Sequence, residues 1–394
     1  MINTHPLSPT EYSAFRYDFL LRLEETGDPK EVVYLDSASP RNPTIGIGFN
    51  LKDAAVRNQV FLGLGIDTAV ANLAEKKYVK KLTEVIARSY SLADLSTLIS
   101  DLNAVMAERL SDENVTTPAK KERFEFNEAE IISVFNAVAE AKESTVNAWL
   151  NIPQSRERAV LFSLAFNTKL STKPVIPENQ TLFPSGLGPS LRRAIISGNR
   201  AEAWYEIRYN TNKNAISATP PADAEGIAKR RYYESEVFNL YDDPASFSQE
   251  AAKDVYRMFS GHRSRILQYE KYYGQTPDGQ DGIRGNRITT ANDDYQLSGT
   301  DRVETIVSSL NAAKDKVTEW LNQTYNLGLS LGSFVSTNLV VDSGRNALYD
   351  GQGNLIPIDP NHASILDTRF DPTNLLMEVA TKGMSRGQVS LYSM

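Results

Sequence analysis

Glu24 and Glu25 end an amphipathic stretch, Asp36 follows Glu25 by 11 residues, and Thr44 follows Asp36 by 8. Thr44 opens the run Thr44-Ile45-Gly46-Ile47-Gly48-Phe49-Asn50-Leu51. Two carboxylates and a hydroxyl beside a glycine-rich turn are the parts an inverting glycosidase needs. One acid protonates the leaving oxygen, while a base and a polar neighbour hold the attacking water. The set therefore points to cleavage of a polysaccharide. Each part alone says less: adjacent acids on a helix are usually a solvated face, and a Thr-Ile-Gly-Ile-Gly run is usually a hairpin edge.

The elements that must position these groups are legible around them. Residues 8–25 read as a helix capped by Ser8 or Thr10, with Phe15, Phe19 and Leu23 at helical spacing and Leu20 beside them. Residues 32–35 and 44–49 read as short strands separated by the turn-rich Ser37 to Pro43. Residues 54–123 read as polar helix with apolar positions such as Leu82, Val85, Ile86, Leu98 and Leu102. Asn127 with Glu130 three residues on is a capping box opening a long helix to Leu150. Ser155 to Phe166 is apolar enough for a buried helix, and Pro174, Pro177, Pro184 and Pro189 then interrupt the chain. Leu191–Tyr209, Gly226–Leu240 and Asp301–Tyr325 read as further helices. Asp242-Asp243-Pro244 reads as a linker, after which residues 275–300 are rich in Gly, Asp and Asn. Near the C-terminus, alternating segments flank a hairpin turn at Asp350-Gly351-Gln352-Gly353.

Composition narrows the chemistry. The 394 residues carry a net charge of −7, which argues against a nucleic-acid binder and leaves substrate capture to a local groove. Cysteine is absent, so disulfides, thiol catalysis and thiolate metal sites are excluded. His5, His262 and His362 lie far apart, which argues against a zinc hydrolase. No apolar run reaches the roughly 18 residues needed to span a bilayer. The first 23 residues contain Glu11 and Asp18 and lack the pattern of a signal peptide. The expectation is a protein made in the cytoplasm, needing neither cofactor nor metal, with no nucleic-acid or membrane partner.

From about residue 15 to 241 the chain resembles the phage-type lysozymes of glycoside hydrolase family 24. Four segments fall in the family's order. The first is Leu21-Arg22-Leu23-Glu24-Glu25 with Tyr34, Asp36 and Thr44 to Gly48; the second is Phe126 to Glu130 with Phe135. The third is Arg158 to Asn167, similar to the family's central buried helix, and the fourth is Gly226 to Glu234, like its closing helix. The resemblance implies a mainly α (α+β) fold, with a lysozyme-like two-lobed domain over 1–243, a small β-hairpin sheet, and a C-terminal helical or mixed accessory region over 246–394. It implies Glu25 as general acid, Asp36 as the residue that orients or activates water, and Thr44 as the partner behind that water. A carboxyl at a helix C-terminus faces the negative end of the dipole, which suits a proton donor. Glu24 remains the alternative acid. Tyr34 and Asn167 fall at substrate-binding positions, Asn167 as a cleft residue for an acetamido sugar or else as a helix C-cap. Trp204 and Tyr209 can stack on sugar rings or fill a core, and Arg230, Arg231 and Glu234 read as structural or rim-forming.

The chain also departs from the family. The spacings of 11 and 8 are longer than usual, Phe49 stands where many members have histidine, and 53–124 is a long insertion. After the linker, Asp281, Gly282, Gly285, Ala291, Tyr295 and Gln296 match a degenerate peptidoglycan-binding module around 255–312, a pattern that an ordinary Gly-Asp turn before a helix also gives. Asp278, Asp281, Asn286 and Asp350 lack the spacing of an EF-hand. The implied reaction is hydrolysis of the β-1,4 bond between N-acetylmuramic acid and N-acetylglucosamine in periplasmic peptidoglycan. Delivery would fall to a holin, a virion or a secretion system, the last with an immunity protein as partner. The rival is a non-catalytic wall-binding or virion structural protein with the same fold.

Overall fold

A computed structural model describes residues 1–25, 28–36, 40–66, 68, 73–116, 121–168, 170–176, 180–217, 219–275 and 280–306, parts of 308–316, and three short strands within 340–356. The protein is mainly helical with a small antiparallel sheet, as expected for an α+β chain. It divides into two compact units, one over 6–170 and one that joins 1–5 to 171–394. Among the described residues, no helix is long and apolar enough to cross a membrane, and no cluster of His, Asp or Glu is arranged to hold a metal ion.

The first unit, here the hairpin unit, begins with α1 (Pro9–Glu25). Ser8 caps it: Ser8 Oγ accepts the Glu11 N–H at 3.3 Å, and Glu11 Oε2 accepts the Ser8 N–H at 2.9 Å. The buried side of α1 carries Tyr12, Arg16, Phe19 and Leu20, while Phe15 and Leu23 are only half-buried, so the stripe is rotated from the one expected. Strands β1 (Lys30–Leu35), β2 (Pro43–Gly46) and β3 (Phe49–Asn50) form a meander. The outer side of β1 is partly covered, because the Phe126 N–H donates to Glu31 O at 2.9 Å.

Helices α2 (Ala54–Gly63), α3 (Leu73–Ala87) and α4 (Leu95–Ser111) make up the insertion. Leu82, Val85, Ile86, Leu98 and Leu102 are buried within it, whereas Leu92 is exposed. Next come α5 (Glu128–Trp149) and α6 (Arg156–Asn167). The Asn127–Glu130 capping box forms as expected, and α6 is buried from Glu157 to Ala165.

The second unit, here the C-terminal unit, holds α7 (Pro189–Ser197), α8 (Arg200–Tyr205), α9 (Ala224–Phe238), α10 (Gln249–Tyr273) and α11 (Arg287–Asp294). The single helix expected over Leu191–Tyr209 is broken at Gly198, whose φ of 83° is the left-handed C-cap conformation. A π-helical turn at Glu206–Asn210 then follows α8. The division at 170/171 differs from the expected boundary near 243. Residues 171–243 share one core with α10 and α11, in which Trp204, Tyr209, Tyr232, Tyr269 and Tyr273 are all buried. Asp242 belongs to that core's rim, ion-paired with Arg200.

Pairing of β5 (Ala347–Tyr349) with β6 (Leu355–Ile356) agrees with the expected C-terminal hairpin; β4 (Val340–Asp342) adds a third strand. Asp278, Asp350, His362, most of the Asp301–Tyr325 helix and the remaining C-terminal residues lie outside the described residues.

Candidate active site

The register of the sheet explains how separate residues become one constellation. Tyr34 is opposite Thr44 in the β1–β2 ladder, and directly opposed residues of an antiparallel pair share a face. Side chains alternate along a strand, so Asp36 falls on Tyr34's face and Asn42 on Thr44's. Beyond the end of the ladder the pairing continues: the Asp36 N–H donates to Asn42 O at 3.1 Å. Tyr34, Asp36, Asn42 and Thr44 thus line one face. Leu35, Pro43, Ile45 and Phe49 occupy the other and are buried.

Asn42 holds the Asp36 carboxylate through two bonds. Its backbone N–H donates to Oδ1 at 2.8 Å and its side-chain Nδ2 to Oδ2 at 2.9 Å. Each carboxylate oxygen therefore receives one N–H, which fixes the plane of the carboxylate. Arg41 Nη1 donates to the Asp36 carbonyl at 2.6 Å, so the backbone carrying the carboxylate is held as well. Thr44 is 3% exposed and its hydroxyl donates to Asn42 O at 3.1 Å. With the proton so committed, Thr44 offers its oxygen lone pairs to any further donor.

The turn between β2 and β3 brings in the other carboxylate. Gly46 and Gly48 have φ of 67° and 84°, a region where L side chains are strained. A Cβ on Gly46 would come within 2.6 Å of the Phe49 ring, so only glycine fits there. A Cβ on Gly48 would be 3.7 Å from Glu24 Oε2, which places the Glu24 carboxylate directly over the turn. The acid expected at this place was Glu25. Its backbone ends α1, and its side chain lies outside the described residues.

Helix α1 is held by a buried cluster. Glu143 of α5 accepts Arg16 Nη1 at 2.9 Å and the Tyr12 hydroxyl through Oε1. Its Oε2 accepts Arg158 Nε at 2.9 Å and Nη2 at 2.8 Å from α6. Burial, and then the Glu143 charge, push the Tyr12 hydroxyl well above its usual range, so it stays protonated and serves as a donor. One carboxylate thus ties α1, α5 and α6 together and fixes the helix that carries Glu24.

Asn167 is the last residue of α6 and exposed, while the cap position belongs to Thr168, whose hydroxyl donates to Leu164 O at 2.6 Å. Trp204 and Tyr209 are fully buried and pack edge to face at 5.8 Å, so they are core and unavailable to a sugar. Arg230 and Arg231 share the buried Glu234 carboxylate, a structural ion triad. An open depression of about 550 Å³ lined by Asp28, Pro29, Lys30, Glu31, Val32 and Glu128 lies at the start of β1, the end of the strand away from Asp36.

Sequence reasoning missed Asn42 and Arg41. Asn42 registered only as part of a turn, although an Asn-Pro pair ahead of the threonine was a signal that the turn holds a side-chain donor. Compared with family models, with curated proteins and with solved structures, the chain matches none.

Proposed function

We propose that this chain is a peptidoglycan hydrolase that cleaves the β-1,4 bond between N-acetylmuramic acid and N-acetylglucosamine by an inverting acid/base mechanism. The observation that carries the reading is the Asp36 carboxylate, oriented by two N–H donors on the same strand face as Thr44 and Tyr34. A carboxylate so held is suited to aligning a water, with Thr44 as the second acceptor. Tyr34 supplies an aromatic surface on the same face for a sugar ring. The acid comes from the adjacent pair Glu24 and Glu25. Resemblance to the family favours Glu25, and the place of the Glu24 side chain over Gly48 favours Glu24. Neither cofactor nor metal has a part in this chemistry, because both proton transfers are made by carboxyl groups.

The test is turbidity loss of chloroform-permeabilised Gram-negative cells with wild type, Glu24→Gln and Glu25→Gln. Wild type is expected to clear the suspension, and the variant lacking the acid to clear it about 100-fold more slowly or worse. The variant that fails names the acid. No clearing by folded wild type would replace this reading with that of a non-catalytic wall-binding protein.

A further inference from the structure

The insertion reaches the loop that holds Asp36. Arg41 forms an isolated antiparallel bridge with Tyr90, which lies in the connection between α3 and α4. Tyr90 is 8% exposed, and its hydroxyl donates to Val85 O at 2.6 Å, so the connection is pinned to the end of α3. Helices α3 and α4 are themselves locked together. Arg109 of α4 donates to Glu75 of α3 through Nε at 3.1 Å and Nη2 at 2.8 Å, with both side chains fully buried. The same Nη2 donates to Gly65 O at 2.6 Å, which ties the pair to the end of α2. Tyr78 of α3 donates to Asp112 at 2.8 Å just past α4.

A chain of contacts therefore runs from a rigid helical pair through Tyr90 and Arg41 to the Asp36 backbone, with Asn42 next in sequence clamping the Asp36 carboxylate. We propose that the inserted α3–α4 pair is a brace for the reaction centre, with Tyr90, Arg41 and Asn42 as positioning residues for Asp36. This rests on the hydrolase reading for its catalytic consequence and not for its structural part. Arg41 holds the Asp36 carbonyl and Asn42 holds its carboxylate, and the bridge to Tyr90 holds Arg41 in turn, so the Asp36 backbone is anchored to a buried connection outside the sheet. The bridge also gives the long insertion a use: it sets the water-aligning carboxylate without touching substrate, as a lever of positioning requires.

Two measurements on the intact chain test this. Amide hydrogen exchange at Asp36 and Asn42 is compared between wild type and Tyr90→Ala, with α6 as the internal control. The brace predicts faster exchange at both positions and no change in α6; equal exchange overturns it, whatever the enzyme's activity. Tyr90→Phe, which keeps the ring and drops only the bond to Val85, is read in the same way if Tyr90→Ala does not fold. Kinetics on soluble wall fragments then compare wild type with Asn42→Ala. Loss of the Nδ2 donor is expected to lower kcat roughly ten- to hundredfold with KM and Tm unchanged. An unchanged kcat in Asn42→Ala, or a rise in KM alone, overturns the positioning role. Wild type inactive on wall fragments would sink the hydrolase reading, while the exchange result still decides the brace.

Discussion

The hairpin face of the first unit and the α9–α11 region of the second are both rich in charge, and they use it in opposite ways. On the hairpin, Asp36 is half-buried and faces the same side as Tyr34 and Thr44, held by donors six residues away in sequence. In the C-terminal unit the charges are buried and spent on one another. Glu234 is 0% exposed between Arg230 and Arg231, and Glu270 at 1% accepts the Tyr209 hydroxyl at 2.6 Å. Arg208, also fully buried, lies over the Trp204 ring at 4.7 Å and the Tyr232 ring at 4.6 Å. A buried ion pair must satisfy itself or cost several kcal/mol, so it has little left for a ligand. The candidate site is recognised by the orientation of its carboxylate, and the C-terminal core by the pairing of its buried charges.

If that contrast is right, damage to the two regions separates into loss of stability and loss of reaction. Glu234→Ala takes away the carboxylate that two buried guanidinium groups share and is expected to destabilise the fold by about 3–5 kcal/mol. Activity per folded molecule should be retained at low temperature, read by calorimetry alongside the clearing rate. Loss of activity without loss of Tm would put the triad in the reaction and erase the distinction.

Glu270 gives a smaller effect, visible through pH. Burial pushes its carboxyl up, against the opposing influence of Arg208 and of the bond from Tyr209. A carboxyl raised in the folded state holds its proton more tightly there than in the unfolded chain. Its stabilising contribution is therefore full below the ordinary carboxylate range and is lost as pH rises through the raised value. Wild-type Tm should fall over that window, and Glu270→Gln should flatten the fall. An unchanged slope would mean that Glu270 ionises in the folded protein without cost.

Much of the local structure was readable because it depends on neighbours in sequence. Ser8, the Asn127–Glu130 box and the apolar run after Ser155 each specify their own helix, and each formed. The strand at Tyr34 was equally plain, whereas the single strand expected over 44–49 is two, β2 and β3, folded back on each other at Ile47-Gly48. What stayed hidden depends on partners far along the chain. The clamp on Asp36 needs the β1–β2 register, and the bridge from Arg41 to Tyr90 spans the whole of α2 and α3.

Helix α10 went unread although Ser248 caps it and Val255, Phe259, Ile266, Tyr269 and Tyr273 fill its buried side, because its polar face is long and its apolar one largely aromatic. Asp242-Asp243-Pro244 likewise reports a turn and says nothing of which core the next helix joins. Asn292 illustrates this well. Its side chain pairs with both the N–H and the C=O of Val303, at 2.8 and 3.2 Å. Tyr295 in turn packs on Tyr233 of α9 at 5.3 Å, so the segment is stitched into the C-terminal core.

The most direct test of the central claim is the stereochemistry of the first turnover. A proton-NMR time course on soluble wall oligomers follows the anomeric proton of the new reducing end before it equilibrates. An Asp36-aligned water attacking opposite the leaving group predicts that the α-anomer appears first. A product that first appears in the starting β-configuration would contradict the roles given to Asp36 and Thr44.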